Sequence, residues 1–333
     1  MQGKLSDSLK SFFDMHKTYR GLSELGVLGI NRRIGDFILK HNPRKHFPVV
    51  DDKIKTAHRA ESWGLSMPEN YTVIESIGDL KQLGKKLQGL KSFVIKPARG
   101  SQGNGIIVID EVYPAKNPEE VSFKRSNGTC LSLDEIKHHI SGIVSGLYSL
   151  SGTSDSALIQ ERISLHPLFK NYAYEGIPDI RVIVFHGYPV MSMIRLPTHM
   201  SGGRANLHQG AIGVGLDLAT GETTFAVHRS SVVEMHPDYK IPLKGLKLPH
   251  WDEILLLASR CYDLAQLGYL GVDIVLTQDK GPIILELNAR PGLSIQVANL
   301  AGLTPRLKSV AQELQTTQRM AKEKVQWVKE HLS

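Results

Sequence analysis

A chain that mixes helices with β-hairpins is what this sequence predicts, on three observations. Two apolar runs, residues 272–277 and 282–287, flank the turn-rich Gln278-Asp279-Lys280-Gly281, and a second pair, 180–186 and 189–196, closes near Gly187. Residues 93–96 and 105–109 read as strands joined by a glycine-rich loop. Apolar residues at helical spacing fill 251–266 and the tail from Thr304.

From the amino end, residues 1 to about 50 form a short basic lead-in, too small for a full nucleotide-binding domain. A helix is expected over 53–63, with Asp51 and Asp52 at its positive end and Gly64 and Pro68 stopping it. Ser132 and Glu135 have the spacing of a capping box, so a second helix should open there and run to about 149. Residues 151–156 read as a linker and 157–163 as a strand. In the tail, Leu307, Val310 and Leu314, then Val325, Val328 and Leu332, make the stripe of one long amphipathic helix. Such a stripe packs on its own chain or forms a homodimer contact.

The 333 residues allow one large domain or two to three smaller ones, and 41% hydrophobic with 22% charged residues is an ordinary globular balance. The net charge of +7 is spread along the chain, which suits an anionic ligand as well as a generally basic surface. No basic–aromatic pattern argues for nucleic acid. The two cysteines, Cys130 and Cys261, stand in no metal-like spacing and fit a reducing compartment. Lys4, Asp7, Lys10 and Asp14 interrupt any signal-peptide core, and no apolar run is long enough to span a membrane, so the cytoplasm is the expected location.

The 272–287 hairpin carries the strongest chemical signal. A turn centred on Asp279-Lys280 puts residues whose numbers sum to 559 opposite each other, which pairs Asp273 with Glu286; Asn288 then shares the face of Glu286. Like charges opposed on a sheet destabilise it, so a positive group should lie between them. Two carboxylates and an amide oxygen suit Mg2+. The alternative is a solvent-facing hairpin with two incidental acids; apolar Val275 and Ile284, expected on the same face, count against it.

Gly100, Gly103 and Gly105 free a loop to bring N–H groups to phosphate oxygens, with Lys96 at the end of the preceding strand. No Gly-Lys-Ser/Thr follows, and the loop leads to a strand, so it is neither a Walker loop nor a dinucleotide fingerprint. Arg181 and Arg195 on the second hairpin, with Arg204, Asn206 and His208 at alternate positions of an extended loop, are read as one wall of a site. No Ser–His–Asp or Cys–His constellation stands out. The set offers cations and a metal for a triphosphate, as phosphoryl transfer requires.

Together, Asp52-Lys53, Val94-Ile95-Lys96-Pro97 with its glycine loop, Asp179-Ile180-Arg181, the run 204–210, and Glu286 to Gly292 with Asp273 upstream resemble the ATP-grasp superfamily. Within it, the chain is similar to the alpha-L-glutamate ligase-like proteins related to the ribosomal-protein glutamate ligases, over roughly residues 20–310. The resemblance implies an α+β fold, two α+β subdomains gripping ATP. Its divisions would be a lead-in at 1–50, a first subdomain at 51–157, a second at 158–303 and a C-terminal helix at 304–333. It implies that Lys53 and Lys96 contact phosphates and that Gly100, Ser101, Gly103 and Gly105 form a lid. Gln160, Glu161 and Ile163 would line the hinge that receives adenine. Asp273, Glu286 and Asn288 would hold Mg2+, two ions being common and Mn2+ a substitute. Arg181, Arg195 and Arg204, supported by Asn206, would stabilise the transferring phosphoryl group. The implied reaction joins a small-molecule or peptide carboxylate to an amine through an acyl phosphate. Against the fuller ligases, the resemblance leads to the expectation of a domain preceding the grasp that is shortened to about fifty residues.

Overall fold

The computed structural model, which describes Thr18 and residues 20–100, 103–115, 120–149 and 152–332, contains two antiparallel sheets. The smaller has strand order β1-β6-β2-β3-β4-β5 and comprises β1 (Asn70–Ile74), β2 (Phe93–Pro97), β3 (Ile107–Tyr113), β4 (Ser122–Arg125), β5 (Cys130–Ser132) and β6 (Ala157–Gln160). The larger, in order β11-β10-β9-β8-β7-β12-β13, is built from β7 (Asp179–Phe185), β8 (Tyr188–Leu196), β9 (Ile212–Leu216), β10 (Thr223–His228), β11 (Ser231–Val233), β12 (Tyr269–Thr277) and β13 (Gly281–Asn288). Helices accompany both sheets, so the α+β expectation holds.

Local signals place the first two long helices. Helix α1 (Lys53–Ser62) starts where the Asp52 carboxylate accepts from the N–H groups of Ile54 and Lys55. Helix α2 (Leu133–Val144) opens on the expected capping box of Ser132 and Glu135 and buries Leu133, Ile136, Ile140 and Ile143 on the smaller sheet. It ends before 149, because the chain turns at Gly146, whose φ of +89° and contact with Thr153 leave no room for a Cβ. Val50, Ala60 and Leu65 join the core of the larger sheet, so α1 packs on the sheet that comes later in the chain.

Helix α3 (Trp251–Ala265) covers β7, β12 and β13. The tail differs from a single helix: α4 (Thr304–Thr316) and α5 (Ala321–His331) are separate. Thr317 is extended (φ −142°), and Glu323 accepts from the Met320 N–H to start α5. Val325 and Val328 of α5 bury against α3 and β8, and Leu307 and Val310 of α4 are buried too, while Leu314 stays exposed. Among the described residues no helix is long and apolar enough to cross a membrane.

Both expected hairpins form. His186 and Gly187, with φ of +47° and +85°, make the two-residue turn between β7 and β8. In β12–β13, Asp273 does face Glu286, but the register has a different origin from the expected one. Thr277 pairs with Gly281, Val275 with Ile283 and Ile274 with Ile284, so near the turn the sum is 558 rather than 559. A bulge at Leu285 adds the missing residue. Without it Asp273 would face Leu285. The bulge also corrects the expected faces: Ile284 joins Ile274 in the main core, while Val275, Ile283 and Leu285 gather with Ile163 and Ile177 in a separate cluster.

Candidate functional site

Strand alternation puts Phe93 and Ile95 of β2 into the core of the smaller sheet and turns Lys96 the other way, into the space between the sheets. Lys96 is 6% exposed, and among the described residues its ammonium has no hydrogen-bond acceptor or ion-pair partner. Burial, reinforced by the neighbouring Lys53 charge, lowers its pKa to about 7; Glu286 of the facing sheet pulls the other way. Two ammonium groups side by side with one carboxylate opposite is costly for an empty fold, and an anion between them relieves it.

Lys53 is held there by the loop it would serve. Its Nζ donates to the Gly100 carbonyl at 2.8 Å, and its backbone N–H to that of Ala98. The neighbouring Arg99 is fixed on both sides: Asp52 accepts from its guanidinium at 3.4 Å, and buried Asp155 accepts from its N–H at 3.0 Å. Beyond it, Gly103 and Gly105 both have φ of +75°. A Cβ at Gly105 would lie 2.7 Å from the Tyr148 ring, and the Gly105 carbonyl lies 2.9 Å from His139 Nε2. Ser101, a predicted lid residue, lies outside the described residues. Across the cleft, the Arg204 side chain comes within 3.7 Å of where a Gly103 Cβ would stand.

Three of the predicted hinge residues have distinct surroundings. Gln160 donates to Asn70 Oδ1 at 2.8 Å, which ties its side chain into the smaller sheet. Glu161 accepts from the Glu69 N–H and is ion-paired with Lys280 at the tip of the β12–β13 turn. Ile163 belongs to the apolar cluster with Ile177, Val275, Ile283 and Leu285. The crossing strand thus leads from a polar tie to an apolar surface.

On the larger sheet, Arg181, Asp273 and Glu286 stand opposite one another on β7, β12 and β13, and Asp179 opposite Arg195 on β7 and β8. Arg181 forks onto Asp273, Nε to Oδ1 at 2.6 Å and Nη2 to Oδ2 at 2.5 Å. Arg195 forks onto Asp179 at 2.5 and 2.7 Å, and its Nη2 also donates to Asp273 Oδ2 at 2.7 Å. All four groups are largely buried. Burial opposes the Asp273 charge, but Arg181 and Arg195 outweigh it and hold its carboxyl well below the usual range. Burial pushes Asp179 up, against the pull of Arg195. The positive charge therefore reaches Asp273 from the β7 and β8 side, away from Glu286, and does not lie between the two acids as expected.

Among the described residues no group of three or more His, Cys, Asp or Glu is spaced to hold a metal. The set Asp273, Glu286 and Asn288 contains two carboxylates and an amide. The pattern of bonds leaves these oxygens able to take a divalent cation. Asp273 Oδ1 receives one N–H, Asn288 Oδ1 receives only the Arg290 N–H, and the Glu286 carboxyl is in hydrogen-bond reach of Asp273 and accepts from no Lys or Arg in the described residues.

Two expectations about the loop change. Asn206 caps a short 3-10 turn, accepting from the His208 N–H at 3.0 Å, so Asn206 and His208 do not alternate along an extended segment. Arg204 and His208 are exposed, whereas Arg181 and Arg195 are brought together at Asp273. Sequence reasoning missed Asp179 as the partner of Arg195, a pairing set by the β7–β8 register, which places the two residues opposite each other. It also missed His139 and Tyr148 at the lid, which no local pattern signals. A larger groove of about 730 Å³ between α3 and α5 is lined by charges of both signs, with Lys329 paired to Asp252 and Arg319 to Glu313, and has no convergent cations.

The family described as sugar-transfer associated ATP-grasp matches residues 32–312. Among solved structures, the chain is similar to the ATP-grasp ligase PsnB complexed with minimal precursor, at 16% identity over 82% of this chain and 63% of that one, with a TM-score of 0.42. It is also similar to D-cycloserine synthetase DcsG (13% identity, 88% of this chain and 73% of that one, TM-score 0.37). A third is the L-amino acid ligase from Bacillus licheniformis (12% identity, 77% of this chain and 44% of that one, TM-score 0.41). The chain spans less than two thirds of the PsnB chain. No curated protein matches the sequence.

Proposed function

Because the chain belongs to the sugar-transfer associated ATP-grasp family, we propose that it is an ATP- and Mg2+-dependent ligase that joins a carboxylate to an amine and releases ADP and phosphate. The observation that carries this reading is the buried Lys96 beside Lys53, facing Glu286 from the opposite sheet and without a hydrogen-bond acceptor among the described residues. A triphosphate laid between the sheets satisfies both ammonium groups. Magnesium held by Asp273, Glu286 and Asn288 would neutralise the phosphate oxygens.

The two sheets act as jaws, with the chain divided at 1–50, 51–157, 158–303 and 304–333 and α1 bridging to the larger sheet. Adenine rests on the cluster of Ile163, Ile177, Val275, Ile283 and Leu285, its edge meeting backbone groups of 160–163. The Gly100–Gly105 lid closes over the phosphates and excludes water. A substrate carboxylate oxygen attacks the γ-phosphorus as the bond to ADP breaks, with Arg181, Arg195 and Arg204 around the transferring group and Asn206 holding the turn behind Arg204. The amine then attacks the acyl carbon, phosphate leaves and the amine loses a proton.

Glutamate is the acid that the sequence resemblance favours. The family description adds a second reading, in which a sugar acid or amino sugar is one of the two partners. A panel of amino acids and sugar acids, with hydroxylamine as surrogate amine and Mg-ATP as donor, tests both. Hydroxamate formed with one acid, together with ADP, names the donor. ATP binding without acid-dependent ADP from any of them would leave a larger acceptor or a nucleotide-binding scaffold.

A further inference from the structure

Building on that reading of the site, we propose that Asp179 is a positioning residue which retains Arg195 when Asp273 turns to a divalent cation, so that Arg195 passes from Asp273 to the phosphoryl group without being lost. The two arginines are held unequally. Arg181 spends both of its bonds on Asp273, Nε to Oδ1 and Nη2 to Oδ2. Arg195 has a full fork on Asp179 and only a third, shared bond to Asp273, its Nη2 lying 2.7 Å from Asp179 Oδ2 and 2.7 Å from Asp273 Oδ2. Asp273 Oδ2 is thus the doubly donated oxygen, and its bond from Arg195 is the one whose loss leaves no buried charge unpaired.

Charge count supports the same division of labour. On the larger sheet Asp179, Asp273, Arg181 and Arg195 sum to zero, and Glu286 adds one negative charge, which Lys96 also faces from the other sheet. Replacing the Asp179 carboxylate by an amide leaves Asp273 as the carboxylate to which Arg195 is hydrogen-bonded, and brings the sum of these five charges to zero. A buried guanidinium left with one hydrogen-bonded carboxylate does not release it cheaply. Asp179 is therefore what makes the Asp273 oxygen available. Its position two residues before Arg181 on β7, directly opposite Arg195 on β8, means one strand places both the retaining acid and the fixed arginine.

The test reads Mn2+ affinity by electron paramagnetic resonance in the absence of ATP, with thermal melting to confirm that each protein is folded. Asp179→Asn should weaken Mn2+ binding at least tenfold. The double variant Asp179→Asn with Arg195→Met, which removes the stranded guanidinium as well, should recover affinity to within about threefold of the wild type. A merely structural role would make the double variant no better than the single one, and that result would overturn the proposal, as would unchanged affinity in Asp179→Asn. Wild-type protein that binds no Mn2+ would overturn it too, together with the metal assignment. Absence of ligase activity in a protein showing the expected Mn2+ pattern would instead count against the reaction alone.

Discussion

Lys96 makes a quantitative prediction about protons. Burial and Lys53 hold its pKa at about 7 in the free protein. At pH 8 a group with that pKa is about one tenth protonated, whereas an ammonium against phosphate oxygens stays charged. Binding of Mg-ATP at pH 8 should therefore take up about 0.9 proton. Calorimetry in two buffers of different ionisation enthalpy measures this directly. Lys96→Met should show uptake near zero and weaker nucleotide binding. The sign for stability follows from the same shift. The folded-state pKa lies below the unfolded value, so the cost of burying the charge is complete below about pH 7 and disappears above the unfolded pKa of 10.5. Across that window the free protein should gain up to about 1.4 kcal/mol per pH unit relative to Lys96→Met. Uptake below about 0.2 proton in the wild type, or equal uptake in Lys96→Met, would refute the placement of Lys96 at the phosphates.

Three further substitutions test separate parts of the site. Glu286→Gln should lower turnover by about 10²–10³ with the melting temperature little changed, since it removes one charge from the site while the amide can still hydrogen-bond Asp273; a rate above a tenth of wild type would reject its assignment. Gly105→Ala adds a methyl group 2.7 Å from the Tyr148 ring at a φ of +75°, and should cost about 1–2 kcal/mol in denaturant unfolding and raise the KM for ATP. Asp52→Ala removes the cap of α1 and the partner of Arg99, and should cost about 1 kcal/mol; urea titration showing no change would mean that α1 starts without it.

How much of this was legible depended on distance along the chain. The capping box at Ser132, the cap at Asp52 and the turn at His186–Gly187 are local, and the sequence carries them in a few adjacent residues. The opposition of Asp273 and Glu286 was reached with a simple two-strand ladder, yet the structure obtains it from a shorter register and the Leu285 bulge together. Bulges have no clear mark in a single sequence, and the same bulge is why Ile284 was assigned to the wrong face. The apolar stripe of the tail persists through both α4 and α5, so its periodicity hid the break at Thr317. Strands β4, β5 and β11 are short and partly exposed, and give almost no alternation to read. The lid anchors His139 and Tyr148 meet Gly105 from 34 and 43 positions away, a contact that only folding makes visible.

The most direct test of the site is ADP release from Mg-ATP across a panel of amino acids and sugar acids, with hydroxylamine as the amine and Glu286→Gln as the control. The expected result is ADP and hydroxamate formed in equal amounts with a particular acid and lost in Glu286→Gln. ADP formed at the same rate without any acid, or undiminished in Glu286→Gln, would contradict the assignment of this cleft as a carboxylate-activating site.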